Sequence, residues 1–599
     1  MEQRKVSLVD RLRPLLNWEV GLYALLLLIA LVMRLWDLDA RSVTHDESLH
    51  AIYSWYLFDG RGWHHDPMMH GPFQFYGNAL IFFLFGDTDF TVRLLPALFG
   101  TALVALPYFL RHQFGRLGAF TVAFLLAFSP LILYYGRYAR NEIYIVVWTF
   151  IIVICMWRYF AERKARYLYI SAAALSLSFC TKEVSYINAG ILGLFLIIMT
   201  ASELVHIARN RFNLKELSPV AEFLLFFGTL SLPLFSPFIQ LIPGLELPSG
   251  FHWAKLLTFV ILFVICAAIG LLWNWRRWLI SALIFYGILT TLYTSLFGLA
   301  TPSDVSALEG IKTGLGSGVW GSVDYWIEQH GVARGGQPLY YYLVILPIYE
   351  FLPLTFAFIG ALYYAIRGNS FSRFLIYWAL ISLGLYSFAG ERMPWLSLHI
   401  AFPVILLGGM FIGRLFQDFD WQMWKIRAVR GATVLVLLLL VPFSIHVAVQ
   451  ESYRQTDDPP QMLLYAAMSF DIKHIVSQIN ELAEERGEHE EMRISVDSPL
   501  NWAVYWYLRD YKHVGYSDLS AMSSPPEGTV LLLASDNEAT AQPYLDNYDE
   551  GQRFHYLTWF PEEYRDFKPG WWWRYFLHRE TNGPYWQWEA IAYFPQASE

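Results

Sequence analysis

Apolar residues recur in long runs along most of the 599-residue chain, separated by short polar stretches. That is the pattern of helices that cross a bilayer rather than of helices with one wet face. A run of about 17 to 25 apolar residues covers a hydrocarbon core of about 30 Å. Such runs fall near 18–36, 91–110, 117–134, 142–160, 166–181, 184–204, 219–241, 252–273, 278–299, 340–365, 371–389, 397–414 and 429–449, so thirteen spans are predicted. A further run at 73–85 is too short to span comfortably and reads as a helix lying in the interface. After residue 450 the pattern changes to a helical start, short β-like runs at Arg493–Val496 and Thr529–Leu533, and more helix-like segments. The expected fold is therefore a polytopic α-helical membrane region, residues 1–450, followed by an exterior α/β domain, residues 451–599.

Loop charge tests the topology independently, because cytoplasmic loops collect Lys and Arg. With the N-terminus inside, the inside loops carry Arg4, Lys5, Arg11 and Arg13; Arg111 and Arg116; Arg158, Arg163, Lys164 and Arg166; Arg209, Arg211 and Lys215; Arg276 and Arg277; Arg367 and Arg373; and Arg414, Lys425, Arg427 and Arg430. The opposite loops hold few basic residues, and an odd number of spans delivers the tail to the exterior of a multi-pass cell-membrane protein. The first apolar run lacks a small-residue cleavage site and is expected to stay as a signal-anchor. Composition agrees: 56% of residues are hydrophobic and only 16% charged, against roughly 25% charged in soluble proteins. Cys155, Cys180 and Cys266 all fall in predicted spans, so disulfides are not the tail's scaffold. A net charge of −8 and the lack of phosphate-loop, zinc-finger or dinucleotide patterns argue against nucleic acid and nucleotide cofactors.

Two exterior loops are longer than connectors require, 37–90 and 300–339. The first carries adjacent carboxylates, Asp46 and Glu47, then His64, His65, Asp66 and His70. Charge this close to hydrocarbon usually serves a ligand or a reaction, although Thr44-x-x-Glu47 also fits a helix capping box. The His cluster has no established zinc spacing. The second loop, Gly-rich with Trp320, Tyr325, Trp326, His330, Arg334 and Gln337, reads as an acceptor-binding loop or lid. On the same face lie Arg137, Arg140 and Glu142, then Thr181-Lys182-Glu183, then Glu391-Arg392-Met393-Pro394-Trp395 and His399. Interface anchoring and helix N-terminal charge account for Arg137, Arg140 and Glu142 on simpler grounds. The last fifty residues hold Trp559, Trp571, Trp572, Trp573, Tyr585, Trp586 and Trp588, suited to sugar rings, a membrane surface or ordinary packing.

Asp46-Glu47, His70-Gly71-Pro72-Phe73, Arg140-Asn141-Glu142 and Thr181-Lys182 together resemble the GT-C membrane glycosyltransferases, especially the protein O-mannosyltransferase and aminoarabinose-transferase superfamily. Relatives have a His-Pro-Pro-Leu-like segment where this chain has His-Gly-Pro-Phe. Gln329 to Pro338 and Glu391 to Trp395 extend the likeness to a bacterial and archaeal branch described as flippase-associated. The resemblance implies a polyprenyl-phosphate sugar donor and a protein or glycan acceptor. It makes Asp46 the general base, and it makes Lys182, Arg137, Arg140, Arg392, His70 and His399 candidates for the donor phosphate. Glu47 and Glu142 are candidates to hold a divalent cation, Mg²⁺ or Mn²⁺, or to orient an Arg. The same features are compatible with a lipid-linked sugar flippase or an inactive glycolipid-binding assembly partner.

Overall fold

The computed structural model describes residues 17–596 apart from 210–215, 246, 249, 333–334, 418–423, 455–460, 465, 522–523, 525 and 567. Among the described residues nine helices are long and apolar enough to cross a membrane, or ten if Tyr341–Tyr349 and Phe351–Arg367, bent by 109°, form one span. Glu142–Glu162 and Pro394–Gln417 lie innermost, while Trp18–Leu35 and Trp253–Tyr293 are largely peripheral.

The count differs from thirteen for local reasons. The run at 117–134 breaks at Ser129, where Arg116–Phe128 ends and Pro130, lacking an N–H, opens the short helix Pro130–Tyr135. Ala165–Phe179 has 15 residues, a length of about 22 Å that falls short of the hydrocarbon core. The runs at 252–273 and 278–299 are not part of that difference: they are the two arms of Trp253–Tyr293, whose helical backbone is interrupted at Asn274 (φ −159°, ψ 94°), between them as expected. The rings of Phe263 and Tyr286 meet at 5.3 Å, although a straight helix would separate them by about 35 Å. The chain therefore doubles back at Asn274, and Gly270 leaves the space that the Trp278 ring fills.

The two interrupted helices support one another. Glu350 sits between Tyr341–Tyr349 and Phe351–Arg367, and its Oε1 accepts the Leu131 N–H at 3.1 Å and the Ser129 hydroxyl. These are donors that the start of Pro130–Tyr135 cannot satisfy internally.

Residues 300–339, expected as a loop, are mostly helical: Ala307–Gly316, a π turn at Ser317–Gly321, and Ser322–Val332. Gly310, Gly314 and Gly318 recur every four residues and form a bare stripe. A Cβ at Gly314 would lie 1.9 Å from the Tyr293 carbonyl oxygen, and one at Gly318 would lie 2.2 Å from the Tyr293 ring. The glycines thus permit close helix contact rather than loop freedom.

The tail builds a six-stranded sheet from β1 (Ala466–Met468), β2 (Arg493–Asp497), β3 (His513–Ser517), β4 (Val530–Ala534), β5 (Gln552–Trp559) and β6 (Trp586–Tyr593), ordered β1-β5-β6-β4-β2-β3. β2 pairs in parallel with β3 and β4, and the remaining pairs are antiparallel. Ile472, Ile475 and Ile479 of helix Asp471–Glu485 pack on Ile494, Val496, Val530 and Leu532. The sheet region is tied to the helices by polar contacts, among them Trp506 Nε1 donating to Asp89 Oδ1 at 2.8 Å and the Arg509–Asp87 ion pair at 2.9 Å.

The glycine stripe is testable by thermal unfolding in detergent. Gly314→Ala is expected to destabilise by about 1–3 kcal/mol through overpacking. Gly316→Ala, where a Cβ meets nothing within 4 Å, should leave the midpoint unchanged or raise it. Equal midpoints would refute the packing role.

Candidate active site

Glu47 anchors the site without entering it. Thr44 caps helix His45–Phe58, accepting the Glu47 N–H through its hydroxyl while Glu47 Oε2 accepts the Thr44 N–H, so the capping box is formed. The same carboxylate takes Arg93 bidentately, at 2.7 Å from Nε and 2.6 Å from Nη2, and accepts the Ala139 N–H at 3.0 Å. Both side chains are fully buried. Arg93 uses its other N–H groups on the carbonyls of Leu38, Arg41 and Ser42. The expectation of a catalytic or metal-binding Glu47 is thereby corrected, since its oxygens are engaged by cation and amides.

Asp46, one residue earlier, reaches the other way. Its Oδ2 lies 2.5 Å from Arg140 Nη1, and its side chain keeps 34% exposure. Burial alone would raise its pKa, but the Arg140 guanidinium more than offsets this and holds the carboxyl below its usual range. Arg140 stacks on Trp395, 3.7 Å from the ring centroid, and its Nε lies 3.6 Å from Glu142 Oε2. Glu142 Oε1 accepts a hydrogen bond from Lys182 Nζ at 2.5 Å. A chain of alternating charge, Asp46–Arg140–Glu142–Lys182, results. His50 Nδ1, Arg140 Nε, Asn141 Oδ1, Glu142 Oε2 and His399 Nε2 are buried with no hydrogen-bond partner. Their unmet capacity, donors and acceptors together, marks the neighbourhood of the charge chain as one with polar groups left to satisfy.

The segment His70-Gly71-Pro72-Phe73 packs on the Cys180–Lys182 turn. Gly71 N–H donates to Thr181 O at 3.1 Å and Phe73 N–H to Cys180 O at 2.8 Å. A Cβ at position 71 would fall 2.3 Å from the Cys180 oxygen, which explains Gly there. His70 adopts φ 67°, ψ −165°, a conformation a non-glycine residue holds only under constraint. Its ring stacks on Trp326 at 4.9 Å and 11°, and its Nδ1 lies 2.7 Å from Glu183 Oε2. Burial pushes the Glu183 carboxyl up to about 7 and the His70 imidazole well below its usual value. Burial thus favours the uncharged form of both partners of this hydrogen bond.

Beside these groups lies a mostly apolar cavity of about 310 Å³, with Lys182 and Glu183 on one wall, Trp326 and His330 from Ser322–Val332, and Tyr386 and Trp395 opposite. His330 Nδ1 accepts the Gly390 N–H at 2.9 Å, joining that helix to the turn carrying Glu391. Trp326 and His330 thus fall where a lid or binding element was expected.

Other expectations are corrected. Arg137 donates to the carbonyls of Met33, Arg34, Trp36 and Asp37, capping the end of Trp18–Leu35 rather than facing a phosphate. Arg392 donates to Ser387, Ala389 and Gln337 carbonyls and shapes its own turn. Trp320 is buried, its indole on Ser236 and its ring against Phe251 and Phe259. His399 is not among the corrected residues: its ring stacks on Tyr386 at 5.2 Å while its buried Nε2 has no hydrogen-bond partner among the described residues. Gln337 bonds Glu562 and Tyr564, away from the charge chain. Arg334 lies outside the described residues. Of the two roles expected for Glu47 and Glu142, holding a divalent cation or orienting an Arg, the contacts show the second, Glu47 on Arg93 and Glu142 beside Arg140 and Lys182, and no group of three or more metal-ligating side chains occurs among the described residues. Of the residues that matter here, one was passed over in the sequence and another was named without a role. Arg93 stood inside an apolar run, itself a signal, and Glu183 stood beside Lys182.

Comparison with known proteins bears on the fold. Residues 69–238 match the dolichyl-phosphate-mannose-protein mannosyltransferase family. The oligosaccharyltransferase of Archaeoglobus fulgidus in its apo form superposes with a TM-score of 0.53 at 14% identity, over 90% of this chain and 73% of that one. The chain has the fold of the GT-C glycosyltransferases. The same archaeal enzyme, AglB, in complex with an inhibitory peptide and a dolichol-phosphate matches this chain with a TM-score of 0.52 at 14% identity, over 90% and 69% of the two chains. ArnT from Cupriavidus metallidurans matches at 15% identity over 96% and 98%, but its TM-score of 0.38 is too low to bear on the fold. No curated protein sequence matches.

The Glu183–His70 pair predicts a pH dependence. Glu183 titrates near 7 when folded against an ordinary 4.5, so the folded state holds a proton that the unfolded chain releases between those values. Its contribution to stability is complete below about 4.5 and falls as pH rises through 7. Thermal midpoints of Glu183→Gln measured from pH 4.5 to 8 should lose this slope; a slope identical to wild type would contradict the assignment.

Proposed function

We propose that the chain is an integral-membrane glycosyltransferase that moves a sugar from a polyprenyl-phosphate donor to an acceptor hydroxyl. The reaction would occur at the exterior membrane face, the N-terminus lying in the cytoplasm and residues 451–599 outside. The observation that carries this reading is the Asp46–Arg140–Glu142–Lys182 chain beside an apolar cavity. It provides cations for a phosphate, a partly exposed carboxylate for a proton, and an apolar wall for lipid.

In the proposed reaction the acceptor oxygen attacks the anomeric carbon and the bond from that carbon to the phosphate oxygen breaks. Its electron pair leaves with the phosphate, while the acceptor proton passes to the Asp46 carboxylate. Direct displacement inverts the anomeric centre. Lys182 and Arg140 stabilise the negative charge gathering on the leaving phosphate, so no acid is required to protonate it. Asp46 is a weak base while Arg140 holds it. A donor phosphate that draws Arg140 away would raise its proton affinity, making the base strongest when substrate is bound. The dolichol-phosphate in the archaeal oligosaccharyltransferase supports the lipid class of the donor.

The test is transfer of radiolabelled sugar from polyprenyl-phosphate donors to a membrane extract by the purified protein in liposomes. Asp46→Asn should fold, bind donor and lose about 10²- to 10⁴-fold in rate, the usual contribution of a general base. Undiminished transfer would remove Asp46 as the base. Donor crossing the bilayer with no transfer by either protein would favour a flippase.

A further inference from the structure

A second cavity, of about 370 Å³, lies where residues 335–341 meet the tail. Its walls include Trp559 and Trp586, which face each other in register at the end of the β5–β6 ladder with ring centroids 4.2 Å apart at 53°. Cross-strand aromatic pairs commonly stabilise a sheet, yet Trp586 remains 62% exposed, so packing uses little of its surface. Around the same cavity stand three planar polar side chains. Glu562 accepts from Gln337 Nε2 at 2.7 Å and pairs with Arg565 at 2.5 Å, while Arg565 also donates to the Gly335 carbonyl at 2.8 Å. The Tyr564 hydroxyl fixes the Gln337 amide by donating to its oxygen at 2.7 Å.

A pyranose ring has an apolar C–H face and a rim of hydroxyls that both donate and accept. An open indole matches the first, and oriented carboxylate, amide and guanidinium groups match the second. The volume lies within the usual range for small-ligand pockets, about 300–1,000 Å³. Position adds a further argument. Pro394 lines this cavity while the next residue, Trp395, lines the first one and carries Arg140 on its ring. The two cavities are thus back to back across a single turn, which Arg392 ties to residues 335–341 through the Gln337 carbonyl at 2.7 Å.

We propose that this second cavity is a saccharide-binding subsite that receives the acceptor, so that the hydroxyl to be glycosylated belongs to a glycan. Its role as an acceptor subsite rests on the glycosyltransferase reading; its capacity to bind sugar does not. Trp586 supplies the stacking face, and Glu562 and Arg565 hold hydroxyls.

The experiment is saturation-transfer NMR, with competition titrations, on the full-length protein in nanodiscs. The probes are free mono- to trisaccharides of mannose, glucose, galactose and N-acetylglucosamine. Wild type and Asp46→Asn should bind at least one of them equally, Trp586→Ala and Glu562→Ala should each weaken it about tenfold, and Trp586→Phe should recover part of the loss by keeping a ring to stack on. Absence of binding by every saccharide, or equal binding by the Trp586→Ala variant, would overturn the subsite. Sugar transfer to a peptide by a wild type that binds no saccharide would do so while leaving the enzyme reading intact. Saccharide binding without any transfer would leave the subsite standing and remove the enzyme reading instead.

Discussion

Glu47 and Arg93 meet as a bidentate ion pair with neither side chain open to solvent, and the site around them depends on that contact. An isolated charge there would be very costly to bury, so the pair persists only because nearly every remaining hydrogen-bonding position is filled. Filling them organises the neighbourhood. Arg93 gathers the carbonyls of Leu38, Arg41 and Ser42, while Glu47 closes the helix cap at Thr44 and takes the Ala139 amide. Two segments distant in sequence are thereby fixed together, one carrying Asp46 and the other Arg140. The structural acid and the proposed reactive acid are adjacent residues on different faces of one helical turn.

Once Asp46 and Arg140 are apposed, the rest of the charge chain follows from pairing. Arg140 lies between two carboxylates, and Lys182 pairs with the second of them. The chain is close to neutral as it stands, so it can be buried. A phosphate would enter it by exchange, competing with Asp46 and Glu142 for their cations. This competition links donor binding to the basicity of Asp46 without any large movement. The Glu183–His70 hydrogen bond, its imidazole stacked on Trp326, joins the same turn to the 322–332 helix.

The helices were legible because bilayer length leaves a plain mark in sequence, and the 73–85 run was readable as a separate short helix, whereas the break at Pro130 was hidden inside the apolar run at 117–134. Their geometry was less so. The gap between the runs at 252–273 and 278–299 marked the break at Asn274, but not that Trp278 packs on Gly270 where the chain doubles back. The glycines at 310, 314 and 318 suggested a loop because composition was read without their four-residue spacing. Motif spacing located Asp46, Arg140, Glu142 and Lys182, but it gave the same weight to Arg137 and Arg392. Whether an arginine faces a ligand or a backbone carbonyl is decided by how the chain ends around it, which no local pattern records. In the tail only β2 and β4 stood out, since β1 is three residues long and β5 and β6 are crowded with aromatics that read as helix.

The account rests most heavily on Arg140 and Lys182 forming a phosphate site for which Asp46 competes. Equilibrium binding of a sugar-free radiolabelled polyprenyl phosphate to the purified protein in nanodiscs measures this directly. Arg140→Ala and Lys182→Ala should each weaken binding about tenfold or more, as loss of a charge-assisted contact implies, whereas Asp46→Asn should bind as tightly as wild type or more tightly. Unchanged affinity in both cation variants, or weaker binding in Asp46→Asn, would contradict the account.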